Sequence, residues 1–315
     1  MDSLEFLPTV GLVALVAALY NVAWPFFPFF RGSKLDRYLE AVDGKPAWAL
    51  VTGASDGIGK GLANELARRG FNVVLHGRNS GKLEKVAYEL ALQSPGREFR
   101  IMVGDAGVLG AGAQPWDAML ATLEGLNLRV VINNVGGPTT PMMRRLDQVP
   151  MEEIAANVHL NALFPTLLSS ILLSQFVKVS APALIINAGS ISDMGWPLLS
   201  FYSGSKSYLT AMSASMAREL SLDGIDVEVM GVRIGAVATK TELMAPGVFW
   251  PSAETMACAI LDRVGCGRTV LVPYWGHAMQ MFLLDLVPVA LLDPLYKTVM
   301  GRLRYEEMRI FGKGK

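Results

Sequence analysis

The segment Thr52-Gly53-Ala54-Ser55-Asp56-Gly57-Ile58-Gly59 follows directly on the apolar run Ala47–Val51 and opens a stretch, Gly57–Arg69, whose apolar residues recur at helical spacing. Glycines at a strand-to-helix junction permit a tight turn and let backbone approach a pyrophosphate. The helix start beyond supplies free N–H groups and partial positive charge. Such a turn also occurs in proteins that bind nothing there, so the surrounding pattern decides its meaning.

Outward from this turn, short β-rich runs alternate with longer helical patterns. The strands read as Ala47–Val51, Asn72–Leu75, Arg100–Val103, Arg129–Asn133, Ala183–Asn187, Asp226–Arg233 and Thr269–Val272. They are near-continuous apolar runs, as expected for strands buried on both faces. The helices read as Gly57–Arg69, Ser80–Leu92, Pro115–Leu123, Met151–Val177, Ser200–Leu222 and Ser252–Val264. This alternation predicts an α/β fold, a doubly wound, Rossmann-type, seven-stranded parallel sheet with helices on both faces. No internal repeat or low-complexity linker interrupts it. Gly104–Gly112, rich in glycine, reads as an irregular turn after the third strand.

The second strand ends Val74-Leu75-His76-Gly77-Arg78-Asn79, without the carboxylate that accepts a ribose 2′-hydroxyl. Arg78 stands where a 2′-phosphate would lie, and its planar fork suits phosphate oxygens, which favours NADP(H) over NAD(H). A solvated surface arginine is the alternative. Further along, Tyr202-Ser203-Gly204-Ser205-Lys206 opens a helix, and a spacing of four puts phenol and ammonium on one face. The ammonium stabilises phenolate, so the pair is able to exchange a proton with a carbonyl or alcohol oxygen. A tyrosine and a lysine four apart are ordinary by themselves. They gain meaning from Asn187-Ala188-Gly189-Ser190 and Asn133-Asn134-Val135-Gly136, which end two other strands. All lie at carboxyl ends of parallel strands, where open α/β sheets place ligands.

The glycine-rich turn, the Asn-Asn-Val-Gly turn, the Ser…Tyr-x-x-x-Lys set and their order together resemble the short-chain dehydrogenase/reductase family. Within it the sequence is similar to the membrane-bound subgroup of very-long-chain 3-oxoacyl-CoA reductases and 17β-hydroxysteroid dehydrogenases type 12. The marks are the Ser-Asp-Gly-Ile-Gly-Lys turn, Arg78, Pro251-Ser252-Ala253-Glu254-Thr255, Val264-Gly265-Cys266-Gly267-Arg268 and His277-Ala278. The resemblance implies Tyr202 as proton donor, Lys206 as the group that lowers its pKa and holds the nicotinamide ribose, and Ser190 as a hydrogen-bond partner of the substrate oxygen. Asn161 would complete a proton relay, preferred over Asn157, although either also reads as a capping or packing residue. Cofactor contacts would come from Gly53, Ser55, Asp56, Gly57, Ile58, Gly59, Arg78, Asp105 at the adenine, Asn133 and Asn134, Tyr202, Lys206, and Val237 and Thr239 at the nicotinamide amide and phosphates.

Three departures from the family pattern stand out. Ser190 lies one residue nearer to Tyr202 than the usual spacing, which leaves Ser192 as the fallback. The Pro-Gly after the sixth strand reads Ile234-Gly235, losing the rigid turn. Lys313-Gly314-Lys315 does not match a dilysine retrieval signal.

The chain has 315 residues, 28 basic against 28 acidic side chains, 51% hydrophobic residues and 18% charged ones. Balanced, sparse charge argues against disorder and against a nucleic-acid surface. Cys258 and Cys266 cannot make a disulfide framework, no His/Cys clustering suggests a metal site, and sparse cysteine fits a reducing compartment. Phe6 to Phe30 carries no charge, and Phe6–Trp24 would form a helix roughly 28 Å long, barely enough to span a bilayer. Pro8 fits its first turn, Pro25 would end it, and Trp24, Phe26, Phe27, Phe29 and Phe30 resemble an interfacial belt. A membrane anchor is the preferred reading over an interfacial helix or a cleaved signal peptide. Arg31, Lys34 and Arg37 place the bulk of the chain in the cytosol by the positive-inside rule. The expected organisation is thus an anchor over 1–31, a catalytic domain over 45–273 and an apolar extension over 274–315. Residence in the endoplasmic reticulum rests on the anchor and the resemblance. The apolar Trp275–Met300 reads as a lid, a membrane-apposed surface, an oligomer contact or core, and His76, His159 and His277 read as ordinary packing or surface residues. Expected partners are a hydrophobic small-molecule substrate, the membrane and a second copy of the chain, with the substrate's ketone in an acyl-CoA, a steroid or a specialised metabolite.

Overall fold

The computed structural model describes residues 3–108, 116–139, 141–179, 181–239 and 246–311. Helix α1 (Ser3–Ala23) is followed by a 3-10 segment, Trp24–Phe30. The alternating body then runs β1 (Ala47–Thr52), α2 (Gly57–Arg68), β2 (Asn72–Gly77), α3 (Ser80–Gln93), β3 (Phe99–Val103), α4 (Trp116–Ala121), β4 (Asn127–Asn133) and α5 (Met151–Val158). It continues with α6 (Phe164–Val179), β5 (Ala183–Ser190), α7 (Ser200–Leu222), β6 (Val227–Ile234), α8 (Ala253–Leu261), β7 (Val270–Leu271), α9 (Trp275–Asp285) and α10 (Val289–Phe311).

The seven strands form one sheet in the order β3-β2-β1-β4-β5-β6-β7, and every pair is parallel. This is the doubly wound sheet that the alternation predicts. Strand order reverses between β1 and β4, so a crevice opens above their carboxyl ends. Successive side chains point to opposite faces. Ala49, Val51, Val73, Leu75, Val130 and Ile132 pack with α2, α3 and α8, while Trp48, Leu50, Val74, Val131 and Ile185 pack with α6. That two-sided burial explains why the strand sequences are apolar without alternation.

Several predicted boundaries move for local reasons. The long helix expected over Met151–Val177 contains a π-helical turn, His159–Leu163, between α5 and α6. The α-helix α1 begins at Ser3, so Pro8 falls in its second turn rather than its first; Pro25 is the second residue of the 3-10 segment that follows where the helix stops. Part of Gly104–Gly112, Pro115 and Lys313-Gly314-Lys315 lie outside the described residues.

The link from α1 to the sheet is fastened to the domain. Ser33 Oγ donates to the Leu261 carbonyl at 2.6 Å, Lys34 N to that of Val264 at 2.9 Å, and Tyr38 Oη to Glu228 at 2.7 Å. Tyr38 is 1% exposed, and burial, reinforced by the Glu228 carboxylate, pushes its phenol far above the usual range.

Candidate active site

The turn after β1 is shaped by what its glycines lack. Gly53 and Gly57 adopt left-handed φ values of 68° and 53°. A Cβ on Gly59 would lie 2.1 Å from the Gly53 carbonyl oxygen, so any side chain there would push α2 off the end of β1. Thr52 stitches this turn to the one after β4, since its Oγ1 accepts from Asn134 N at 2.9 Å and Val135 N at 3.0 Å. Asn134 Nδ2 donates back to the Thr52 carbonyl at 2.9 Å. Asp56 caps α2 through Gly57 N, and Ser55 and Ile58 are partly exposed beside it. Thr239, after β6, faces Gly57 with its methyl carbon 3.5 Å from where a Cβ would stand. Backbone N–H groups at a helix start, with no Cβ in the way, fit a dinucleotide pyrophosphate. Arg78 is exposed just beyond β2, and Asp105, after β3, accepts from Gly107 N at 2.9 Å.

The second half of the site is built on side chains. Tyr202 and Lys206 occupy the first two turns of α7. Lys206 is 3% exposed; its Nζ donates to the Ala188 carbonyl at 2.8 Å and lies 5.9 Å from the centroid of the Tyr202 ring. Burial lowers the ammonium pKa from 10.5 to about 8. The Gly136 backbone approaches so closely that a Cβ there would be 3.0 Å from Lys206 Nζ and 2.6 Å from Asn161 Oδ1. Asn161 sits in the π-turn, fully buried, accepting from Gly137 N and donating to the Gly137 carbonyl, both at 2.9 Å. Asn157 donates to the same carbonyl at 2.9 Å. The wider turn brings both asparagines to one loop, and π-turns are frequent at functional sites. Ser190, at the end of β5, hydrogen-bonds Ser192 Oγ at 2.9 Å, so the preferred serine and its fallback form one pair.

Residues 47–245 match the short chain dehydrogenase family. The chain belongs to it. A very-long-chain 3-oxoacyl-CoA reductase of Caenorhabditis elegans is 33% identical over 312 residues, covering 96% of each chain. A very-long-chain 3-oxoacyl-CoA reductase-like protein of Arabidopsis thaliana is 30% identical over 300 residues, 92% of this chain and 91% of its own. Among solved structures, a 7beta-hydroxysteroid dehydrogenase superposes with a TM-score of 0.69 at 20% identity, covering 82% of this chain and 97% of that one. A short-chain dehydrogenase from Sphingobium yanoikuyae in complex with NADPH gives 0.60 at 24% identity, over 78% and 97%.

In this short-chain dehydrogenase, an oxidoreductase acting on alcohol and carbonyl groups, the predicted residues Asn133 and Val237 are buried, as Lys206 and Asn161 are. Asn133 is buried, its Nδ2 shared between Ser169 Oγ at 2.9 Å and Asn187 Oδ1 at 2.8 Å. Asn187 in turn donates to Ser213 Oγ at 2.9 Å, making a polar rung from β4 through β5 to α7. Val237 is buried after β6.

Sequence reasoning misses the residues that hold these groups in place. Asp193 receives two hydrogen bonds from Arg233, at 2.6 and 2.8 Å, and one from Thr210 at 3.0 Å, fixing the turn that carries Ser190 and Ser192. His277, on α9, accepts from Gly235 N at 3.1 Å through Nδ1 and sits 3.1 Å from the Ala236 carbonyl through Nε2. Burial lowers its pKa, so the neutral ring with hydrogen on Nε2 satisfies both contacts. This lock follows Ile234, where the family pattern has a proline; the missing proline and the His277-Ala278 mark were the signals in the sequence. Helix α10 lies against the loop before α7: Met300 and Leu303 pack with Leu199, Leu198 and Tyr202, and Tyr296 meets Trp196 at 5.8 Å between ring centroids. Glu307 clamps α10 to the turn after β4, accepting from Met142 N at 2.6 Å and Met143 N at 2.7 Å. No short motif encodes that wall.

Proposed function

We propose that this chain is an NADP(H)-dependent reductase that converts the ketone of a hydrophobic substrate to a secondary alcohol, the substrate being a long-chain 3-oxoacyl-CoA. The observation that carries the reading is a buried lysine under Tyr202, beside a serine pair, with an apolar wall from α10 on the open side. The relatives that match over nearly their whole length bear the name of such reductases.

The Gly53–Gly59 turn would hold the cofactor's pyrophosphate and Arg78 its 2′-phosphate, and the bound cofactor supplies the hydride. Ser190 hydrogen-bonds the carbonyl oxygen, and Tyr202 delivers its proton to that oxygen as negative charge develops there. Lys206, charged at neutral pH even with its pKa lowered to about 8, stabilises the phenolate that remains. Asn161, tied to Gly137 next to Lys206, is the inward end of a path by which the proton is replaced.

Membrane association is part of the proposal. Helix α1 spans 21 residues, long and apolar enough to cross a bilayer, and Arg31, Lys34 and Arg37 follow it. That arrangement supports anchoring in the endoplasmic reticulum with the sheet on the cytosolic side. Protection of the large domain from added protease in sealed microsomes would reverse the orientation.

The deciding assay is NADPH oxidation by the detergent-solubilised chain against a long-chain 3-oxoacyl-CoA, a 17-ketosteroid and an aliphatic ketone, with Tyr202→Phe as control. Turnover of the thioester is the expected result. Turnover of the other ketones without it would move the chain to steroid or specialised metabolism, and tight NADPH binding with no turnover would make it a binding protein.

A further inference from the structure

We propose that the elbow between α9 and α10 is a second membrane contact, seated in the lipid interface beside the point where α1 leaves the domain. The inference rests on the membrane association proposed for α1 and adds a surface to it.

The 3-10 segment after α1 is bolted to the domain. Arg263 Nη1 donates to the Pro28 carbonyl at 2.7 Å, Arg268 Nη2 donates to that of Trp24, and Phe26 meets Phe282 of α9 edge-on at 5.7 Å. Arg268 lies 4.2 Å from the Trp24 ring centroid, Arg263 5.0 Å from that of Phe29, and Arg31 5.4 Å from that of Phe27. Stacked arginines and aromatic rings are what the headgroup level of a bilayer favours, the cations toward anionic lipid and the rings at the boundary. These contacts set the height of α9 relative to α1.

Beside Phe282, Leu283 and Leu286 are 52% and 63% exposed. The chain from Leu286 to Leu292 carries no charge, and Leu291, Leu295 and Val299 continue along α10 at a spacing of four, 58%, 38% and 42% exposed. That spacing puts them on one side of the helix. The side toward the domain carries Tyr296, Met300 and Leu303. Helix α10 is thus apolar on two sides in its first half, one against the site and one uncovered, while Arg302, Arg304 and Arg309 follow in its second half. An apolar strip of this extent beside a fixed membrane entry point matches an interfacial helix better than a water-facing one.

The test uses the full chain reconstituted in phosphatidylcholine–phosphatidylserine vesicles, in a background with Cys258→Ser and Cys266→Ala that still binds NADPH. Single cysteines carrying an environment-sensitive fluorophore are placed by Val16→Cys in α1, Leu286→Cys in the elbow and Leu222→Cys at the end of α7. A blue-shifted emission at 286, lost for the most part when the lipid is brominated, is expected, with no response at 222. Quenching at 16 alone would leave α1 inserted and overturn the elbow contact. Quenching at 286 but not at 16 would support the elbow and sink the spanning role of α1. Shielding of 286 from aqueous iodide without quenching by brominated lipid would mean a protein covers it, and would also overturn the proposal. Should the cysteine-free chain fail to fold, a diazirine amino acid at 286 in the parent chain gives the same decision, by crosslinking to lipid or to protein.

Discussion

The two halves of the site are held by different means. Around β1 and β2 the shape is made of backbone, with positive φ at Gly53 and Gly57, an absent Cβ at Gly59 and Thr52 tying two turns together. Around β5, β6 and α10 it is made of side chains that meet from distant parts of the chain, such as Asp193 with Arg233 and Glu307 with the Met142–Met143 amides. A backbone-built site tolerates almost no added atom. A side-chain-built wall allows exchange of shape, which is what selectivity among the proposed substrates would need.

The largest expected effect breaks the backbone half. Gly59→Ala should abolish NADPH binding and turnover together, because the new methyl overlaps the Gly53 carbonyl; fluorescence titration with NADPH checks this. Tyr202→Phe attacks the other half and should separate the two readouts. Turnover should fall by about 10²–10⁴-fold, the scale of a lost general acid, while NADPH affinity stays near the parent's. A parent-like rate would falsify the proton-donor role.

Next in size are the wall and the buried charge. Met300→Ala should lower stability by about 2–5 kcal/mol, since Met300 is 1% exposed, and should raise KM for long-chain substrates more than for short ones; chemical denaturation and a chain-length series read the two effects. Lys206 gives a pH signature. Its pKa of about 8 in the fold lies below its ordinary 10.5, so the unfolded chain binds more protons between those values. Below pH 8 the whole cost of burying the charge is present, and it is relieved as pH rises toward 10.5. Stability of the parent relative to Lys206→Met should therefore rise by about 3 kcal/mol across that window in the absence of cofactor. A flat difference would contradict the desolvation of Lys206. The smallest effect is at the exposed Arg78, where Arg78→Gln should cut the preference for NADPH over NADH by about tenfold or more, the scale of a lost charge-assisted hydrogen bond.

The same division explains what could be read from the sequence. All seven strands and the helices packed on them announce themselves through apolar runs and helical spacing, because burial on a parallel sheet constrains each segment locally. The glycine turn and the Tyr-x-x-x-Lys pair are equally local, one set by backbone sterics and the other by the pitch of a helix. Asn133 has the residue type of a ligand group, and its Nδ2 is held by Ser169 of α6 and Asn187 of β5, contacts 36 and 54 positions away that its own local sequence does not announce. His277 shares the fate of other long-range contacts, since its partner Gly235 is 42 positions away. The π-turn at His159–Leu163 takes in about one extra residue and turns the helical face by roughly 100°, but the 8 residues of α5 before it are too few for that offset to be read as a break in periodicity.

The Glu307 clamp has a consequence for biosynthesis. Met142 emerges from the ribosome 165 positions ahead of the carboxylate that fixes its amide. Strands β1, β2 and β4, which carry the glycine turn and the Asn133–Gly136 turn, end by Asn133 and clear the ribosome well before Glu307 is added. A nascent chain halted between the two would carry the glycine turn without the α10 side chains that pack beside Tyr202, so under the proposed function the substrate side would be completed last, with translation of α10.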